Sequence, residues 1–177
     1  MVMTDVATID AYGVQTEPTT VRIQRRLPGT IERVWAYMTE SDLRRQWLAA
    51  GPMDLKVGGE VELTWRNDEL SGQIEQRPEG MSGEHSMKSQ ITRIEAPRLL
   101  AFGWNNGEVT FELEPQGGEV LLTITHRRLP DRNNLLSVSA GWHAHLDVLA
   151  DKMAGRDTGP FWSKWTRLRA EYEARIA

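Results

Sequence analysis

Between Thr19 and Leu27, Val21 and Ile23 alternate with Arg22, Gln24 and Arg26, the two-residue period of a strand with one face buried and the other in water. Pro28-Gly29 breaks that pattern. Thr30 then offers an N-cap to a helix whose Ile31, Val34, Trp35 and Met38 share one face. Thr39-Glu40-Ser41-Asp42 has the form of a capping box for a second short helix, with Leu43 and Trp47 on one face and Gly51-Pro52 as its stop. From Met53 to Arg128 the texture changes to short alternating runs separated by turn residues, which predicts an antiparallel meander. Its inward positions are Val61, Leu63 and Trp65; Met87, Ser89 and Ile91; Leu100, Phe102 and Trp104; Val109, Phe111 and Leu113; and Val120, Leu122, Ile124 and His126. Asn105-Asn106-Gly107 and Gly117-Gly118 supply hairpin turns. Beyond Leu129-Pro130, Leu135, Val138, Trp142, Leu146, Leu149 and Met153 recur at helical spacing, a stripe on a helix of about 20 residues and ~30 Å. Gly155 stops it, and Thr158-Gly159-Pro160 caps a last helix carrying Phe161, Trp165, Leu168 and Tyr172.

One strand, two short helices, a meander and a long C-terminal helix make an α+β order with the helices on one face of the sheet. The expected architecture is a curved antiparallel sheet of about six to seven strands around the C-terminal helix. Residues 1–17 lack periodicity and are expected to form a loosely ordered N-terminal arm; residues 18–177 form a single domain. Asp68 to Gly83 holds three glycines, a proline and few apolar side chains, which marks it as a lid or mobile surface beside whatever the sheet encloses.

Composition narrows the function classes. The 177 residues carry a net charge of −4, with the acidic excess in the middle third and no concentrated basic patch, so nucleic acid is not an expected partner. The doublets Arg25–Arg26, Arg44–Arg45 and Arg127–Arg128 are expected at solvated surface or in local ion pairs. No apolar run reaches the length of a membrane span, and the first residues have neither the basic start nor the apolar stretch of a signal peptide, so no membrane is expected and a cytoplasmic location is. The absence of cysteine removes thiol nucleophiles and thiolate metal sites. No GxSxG elbow, Walker loop or dinucleotide fingerprint occurs.

The segments TIERVWAYMTESDLRRQWL, Gly58-Gly59 before a strand, ITRIEAPRLLAFGW, EVTFELEP and GWHAHLDVLADKMAG occur in an order that resembles the SRPBCC or START-like helix-grip superfamily. Within it the chain is similar to bacterial relatives of the activator of heat-shock protein 90 ATPase, over roughly Thr19 to Tyr172. The resemblance implies a START-like domain with space between the C-terminal helix and the sheet. It leaves function open, because the superfamily spans lipid carriers, hormone receptors, cyclases and oxygenase subunits.

Candidate chemistry centres on histidines and aromatic rings. His143 and His145 lie two apart on a helix and project to different sides, so they cannot chelate one ion, and no metal or cofactor is expected. His143 and Asp147, four apart, suit a surface ion pair on the solvated side of the helix. His126 shares the inward parity of Leu122 and Ile124, and His145 borders the apolar stripe. Glu60, Glu62, Glu112 and Glu114 point off the convex face, which leaves no carboxylate pair for acid–base work. Seven tryptophans are the most unusual feature of composition, and all but Trp162 fall on inward stripes. The expected function is binding of a small apolar or amphipathic molecule in a cavity lined by Trp65, Met87, Phe102, Trp104, Phe111, His126, Trp142, His145, Leu146 and Leu149, by a monomer or homodimer, with no catalytic residue assigned. The alternatives are a chaperone-associated or other protein-interaction module, and a cyclase- or hydrolase-type enzyme with His145 or His126 as acid–base.

Overall fold

A computed structural model describes residues 10–70, 77–81 and 83–176. Seven strands form one curved sheet in the order β1-β2-β7-β6-β5-β4-β3, every neighbouring pair antiparallel. They are β1 (Val14–Glu17), β2 (Thr20–Pro28), β3 (Glu60–Trp65), β4 (His85–Glu95), β5 (Leu99–Trp104), β6 (Gly107–Gln116) and β7 (Glu119–Arg127). Two short helices, α1 (Ile31–Thr39) and α2 (Ser41–Arg44), fall between β2 and β3, and α3 (Arg132–Ala154) and α4 (Phe161–Arg175) complete the chain. Each inward parity read from the sequence is buried: Val21 with Ile23, Val61 with Leu63, Leu100 with Phe102, Val109 with Phe111, and Leu122 with Ile124. Among the described residues no helix is long and apolar enough to cross a membrane.

The helix α3 sits in the grip of the sheet. Asp131 caps it, its side chain accepting from the Asn134 N–H at 2.8 Å, and Gly155 ends it in the left-handed conformation that costs glycine nothing (φ 71°). The stripe from Leu135 to Met153 faces the sheet, yet Leu136, Ser139, Ala140, His143 and Ala144 are buried as well. The reason is α4, which packs along α3 and adds its cover to that of the sheet. A helix covered by both has almost no solvated side, which corrects the assignment of His143 to one.

Further expectations change in three dimensions. Within the N-terminal arm, Val14–Glu17 pairs with β2, and the Gly13 N–H donates to the Tyr172 hydroxyl at 2.6 Å, so residues 10–17 are tied to the domain; residues 1–9 lie outside the described set. Of the Asp68 to Gly83 segment, residues 71–76 and 82 lie outside the described residues, and the part before them is anchored. Asn67–Glu69 makes a 3-10 turn, Leu70 is buried and its carbonyl accepts from the Thr158 hydroxyl at 3.2 Å. Thr158 therefore braces that turn instead of capping α4, whose cap position is Pro160.

The basic doublets divide. Arg25 shares the inward face of β2 and pairs with Asp147 of α3 at 3.1 Å, a contact no local reading could supply. Arg44 is 0% exposed, and its guanidinium donates to the carbonyls of Met38 (3.3 Å), Thr39 (3.1 Å), Ala49 (3.1 Å) and Gly51. Collecting those carbonyls folds the chain back after a single turn, so α2 stops at Arg44 and the predicted second helix is cut short. Gly51 has a positive φ of 129° and lies where a Cβ would strike the Glu62 carbonyl oxygen, so this close approach requires glycine. Burial pulls the Arg44 pKa down to about 10, which leaves it charged at neutral pH. Arg44→Ala is expected to destabilise the protein by roughly 3 kcal/mol, because several buried carbonyls lose their donors. Trp142→Ala should cost ~3 to 5 kcal/mol by opening the helix–sheet interface. Urea melts measure both; a loss under about 0.5 kcal/mol for Arg44→Ala would mean that water replaces the guanidinium freely.

Candidate functional site

A cavity of about 390 Å³ opens where α3, α4 and the β3–β5 side of the sheet meet. Trp65 and Trp104 stand at the ends of β3 and β5, where inward parity carries their rings past the last packed layer. Trp142 and His145 project from α3, Phe161, Trp162 and Trp165 from α4, and Leu48, Asn67, Met81 and His85 close the rim. The rings touch in sequence: Trp65 lies 5.2 Å from Trp104, Trp104 5.5 Å from Trp142, and Trp162 6.2 Å from Trp165, all tilted or edge-to-face. Three of the five indole N–H groups are held by the protein: Trp142 donates to His126 Nδ1 at 3.0 Å, Trp162 to Asp68 Oδ1 at 2.6 Å, and Trp165 to the Ser137 carbonyl at 3.3 Å. Those bonds fix the ring planes.

Of the ten residues expected to line a cavity, Trp65, Trp104, Trp142 and His145 are in its wall. Met87, Phe102, Phe111, His126, Leu146 and Leu149 are buried and are not among the residues that line it. Their parity is inward, but they sit where α3 rests on the sheet. There Phe102 meets Phe111 at 5.6 Å and Phe111 meets Trp142 at 5.8 Å, and the space is filled. The residues missed are mainly those of α4 and the rim. Trp162 and Trp165, three apart at the start of a helix, were the available signal, as was Gly141, a glycine in the interior of α3 that faces the cavity.

The three buried histidines occupy different environments. His126 accepts from Trp142 at Nδ1, so its proton resides on Nε2, and burial lowers its pKa to about 3. His145 lies against the Trp47 carbonyl at 2.7 Å, and burial lowers its pKa to about 4 despite that bond. His143, only 5% exposed, holds the Tyr172 hydroxyl at Nδ1 (2.9 Å) and faces Asp147 through Nε2 at 3.7 Å. Burial brings it to about 4, outweighing the Asp147 carboxylate that pulls the other way. Asp147 is shared with Arg25 and with Lys164 of α4 (3.5 Å). The pair read as a surface contact is thus part of a half-buried network that joins β2, α3 and α4. Among the described residues no group of three or more His, Asp or Glu side chains is placed to hold a metal ion.

A family model described as Activator of Hsp90 ATPase homolog 1-like protein matches residues 28–154. The chain belongs to this family. A solution structure of the protein encoded by gene BPP1335 from Bordetella parapertussis is similar to this member over 99% of its length and 96% of that chain, at 37% identity and a TM-score of 0.78. CalU16 from Micromonospora echinospora shares the fold at 23% identity (89% and 87% of the two chains, TM-score 0.65). The AHSA1-like protein from Aeromonas hydrophila does so at 21% (76% and 94%, TM-score 0.57). No curated protein matches the chain.

The buried histidines make this family member sensitive to acid. An unfolded imidazole takes up a proton near 6.5, whereas the folded ones resist until about 4 or, for His126, about 3. Folded pKa values below the unfolded one mean that stability is full above pH 6.5 and falls as pH drops towards 4. The expected slope approaches ~1.4 kcal/mol per pH unit for each histidine, hence roughly 4 for the three together near pH 5. Urea melts from pH 7 to pH 5 measure it, and His126→Gln should remove about a third of the slope.

Proposed function

We propose that the chain binds a small apolar or amphipathic molecule in the cavity between α3, α4 and the sheet. The observation that carries this reading is the wall itself: five indoles and Phe161 around about 390 Å³, a volume within the range of small-molecule sites. Rings already held in place lose little freedom when a ligand enters, so the apolar area they offer converts efficiently into affinity. Gly141 supports the same reading. A glycine inside a helix costs ~1 kcal/mol relative to alanine. Here a Cβ would meet no atom within 4 Å, so close packing is not what the missing side chain serves. The family description favours a second reading, an activator-like module acting on a chaperone ATPase.

Fluorescence of the cavity tryptophans and thermal melts against a panel of fatty acids, sterols, polyketides and polycyclic aromatics test the proposal. A ligand at 100 times its dissociation constant should add about 2.7 kcal/mol of stability. Gly141→Leu should fill the cavity and abolish binding while the apo protein keeps or gains ~0.5 to 1 kcal/mol. If no ligand acts, and wild type and Gly141→Leu stimulate a heat-shock protein 90 ATPase equally, the second reading replaces the first.

A further inference from the structure

On the binding reading above, we infer that the cognate ligand is a neutral aromatic molecule that donates a hydrogen bond to His145 Nε2, through a phenolic or comparable hydroxyl, and not a carboxylate. The Trp47 backbone oxygen can only accept, so at 2.7 Å it takes the proton of His145 Nδ1. Burial holds the ring neutral at pH 7, with one proton, and that proton is already placed. Nε2 is therefore a bare lone pair. It has no hydrogen-bond partner among the described residues, although the side chain is only 6% exposed and lies in the cavity wall.

Asn67 Oδ1 repeats the pattern. It is buried without a partner among the described residues, in a residue that lines the same cavity. An acceptor left unpaired in an apolar wall is costly, and a ligand that brings a donor recovers what the empty site forfeits. The wall also decides charge. None of its described residues is Lys, Arg, Asp or Glu. A carboxylate would lose its hydration, find no Lys or Arg in the wall and face the His145 lone pair, while a cation would find no carboxylate. Asp68, the chain neighbour of Asn67, is occupied by the Trp162 N–H at 2.6 Å and by Arg77 at 3.6 Å. The indole faces in turn suit a planar ring in offset or edge contact.

Four probes of one shape separate the possibilities: naphthalene, a naphthol, the methyl ether of that naphthol, and the corresponding naphthoate. Calorimetry at neutral pH on wild type and on His145→Asn measures each. The asparagine amide can still donate to the Trp47 carbonyl, but places no lone pair where Nε2 stood. In wild type the naphthol should bind about tenfold tighter than its methyl ether, with the naphthoate weakest. In His145→Asn the naphthol advantage over its methyl ether should fall to about twofold or less. Should that variant fail to fold, the nitrogen chemical shift of His145 Nε2 in the wild type should move with the naphthol and stay with the ether. Equal binding of naphthol and ether, or strongest binding of the naphthoate, would overturn the donor inference and leave the cavity reading intact. Failure of all four to bind would overturn the cavity reading itself.

Discussion

A helix buried along most of its length leaves its polar side chains little water to turn to, and α3 is in that position, with both the sheet and α4 packed against it. Its polar residues must find partners in the protein or remain as penalties. Asp147 meets Arg25 from β2 and Lys164 from α4; His143 meets Tyr172, which in turn accepts from the backbone of Gly13. Trp142 donates to His126 on β7, and His145 donates to the Trp47 carbonyl. Each bond ties α3 to a different part of the chain. The polar demands of one helix thereby fix the docking of β1, α4 and the loop after α2.

That loop shows how a buried charge outside the cavity wall shapes it. Arg44 gathers carbonyls from both ends of the 38–51 segment, and the fold it enforces carries Trp47 inward until its own N–H donates to the Tyr37 carbonyl at 2.9 Å. The Trp47 carbonyl is then aimed at His145. A guanidinium with only neutral acceptors around it is an expensive device, and its return is positional. It decides which ring nitrogen of His145 carries the proton, and so whether the cavity offers a donor or an acceptor.

The cavity itself follows from the mismatch between large rings and limited layers. In the middle of the sheet Phe102, Phe111 and Trp142 meet edge to face and leave no gap. Towards the ends of β3 and β5 the sheet offers no further residues. Trp65 and Trp104 then face Trp162 and Trp165 across space that the glycine at 141 does not fill. The family's helix-grip architecture thus closes at one end of α3 and stays open at the other.

Periodicity made the strands, the stripe on α3 and the inward aromatic rings legible in the sequence, because alternation and the helical repeat decide which face of an element meets the core. Parity, however, does not say how far along the sheet a residue lies. Met87 and Trp65 read alike, as do Phe111 and Trp104, yet only the tryptophans reach the cavity. The same blindness applied to charge: Arg25, Arg44 and His143 looked suited to water because polar residues usually are, and nothing local revealed that β2, the 38–51 loop and α4 would enclose them. The sequence by itself determined the elements, their order and their apolar faces. Which polar groups are buried, which imidazole nitrogen is bare and where the core leaves room depended on contacts between residues as much as 159 positions apart, which only the packed chain brings together.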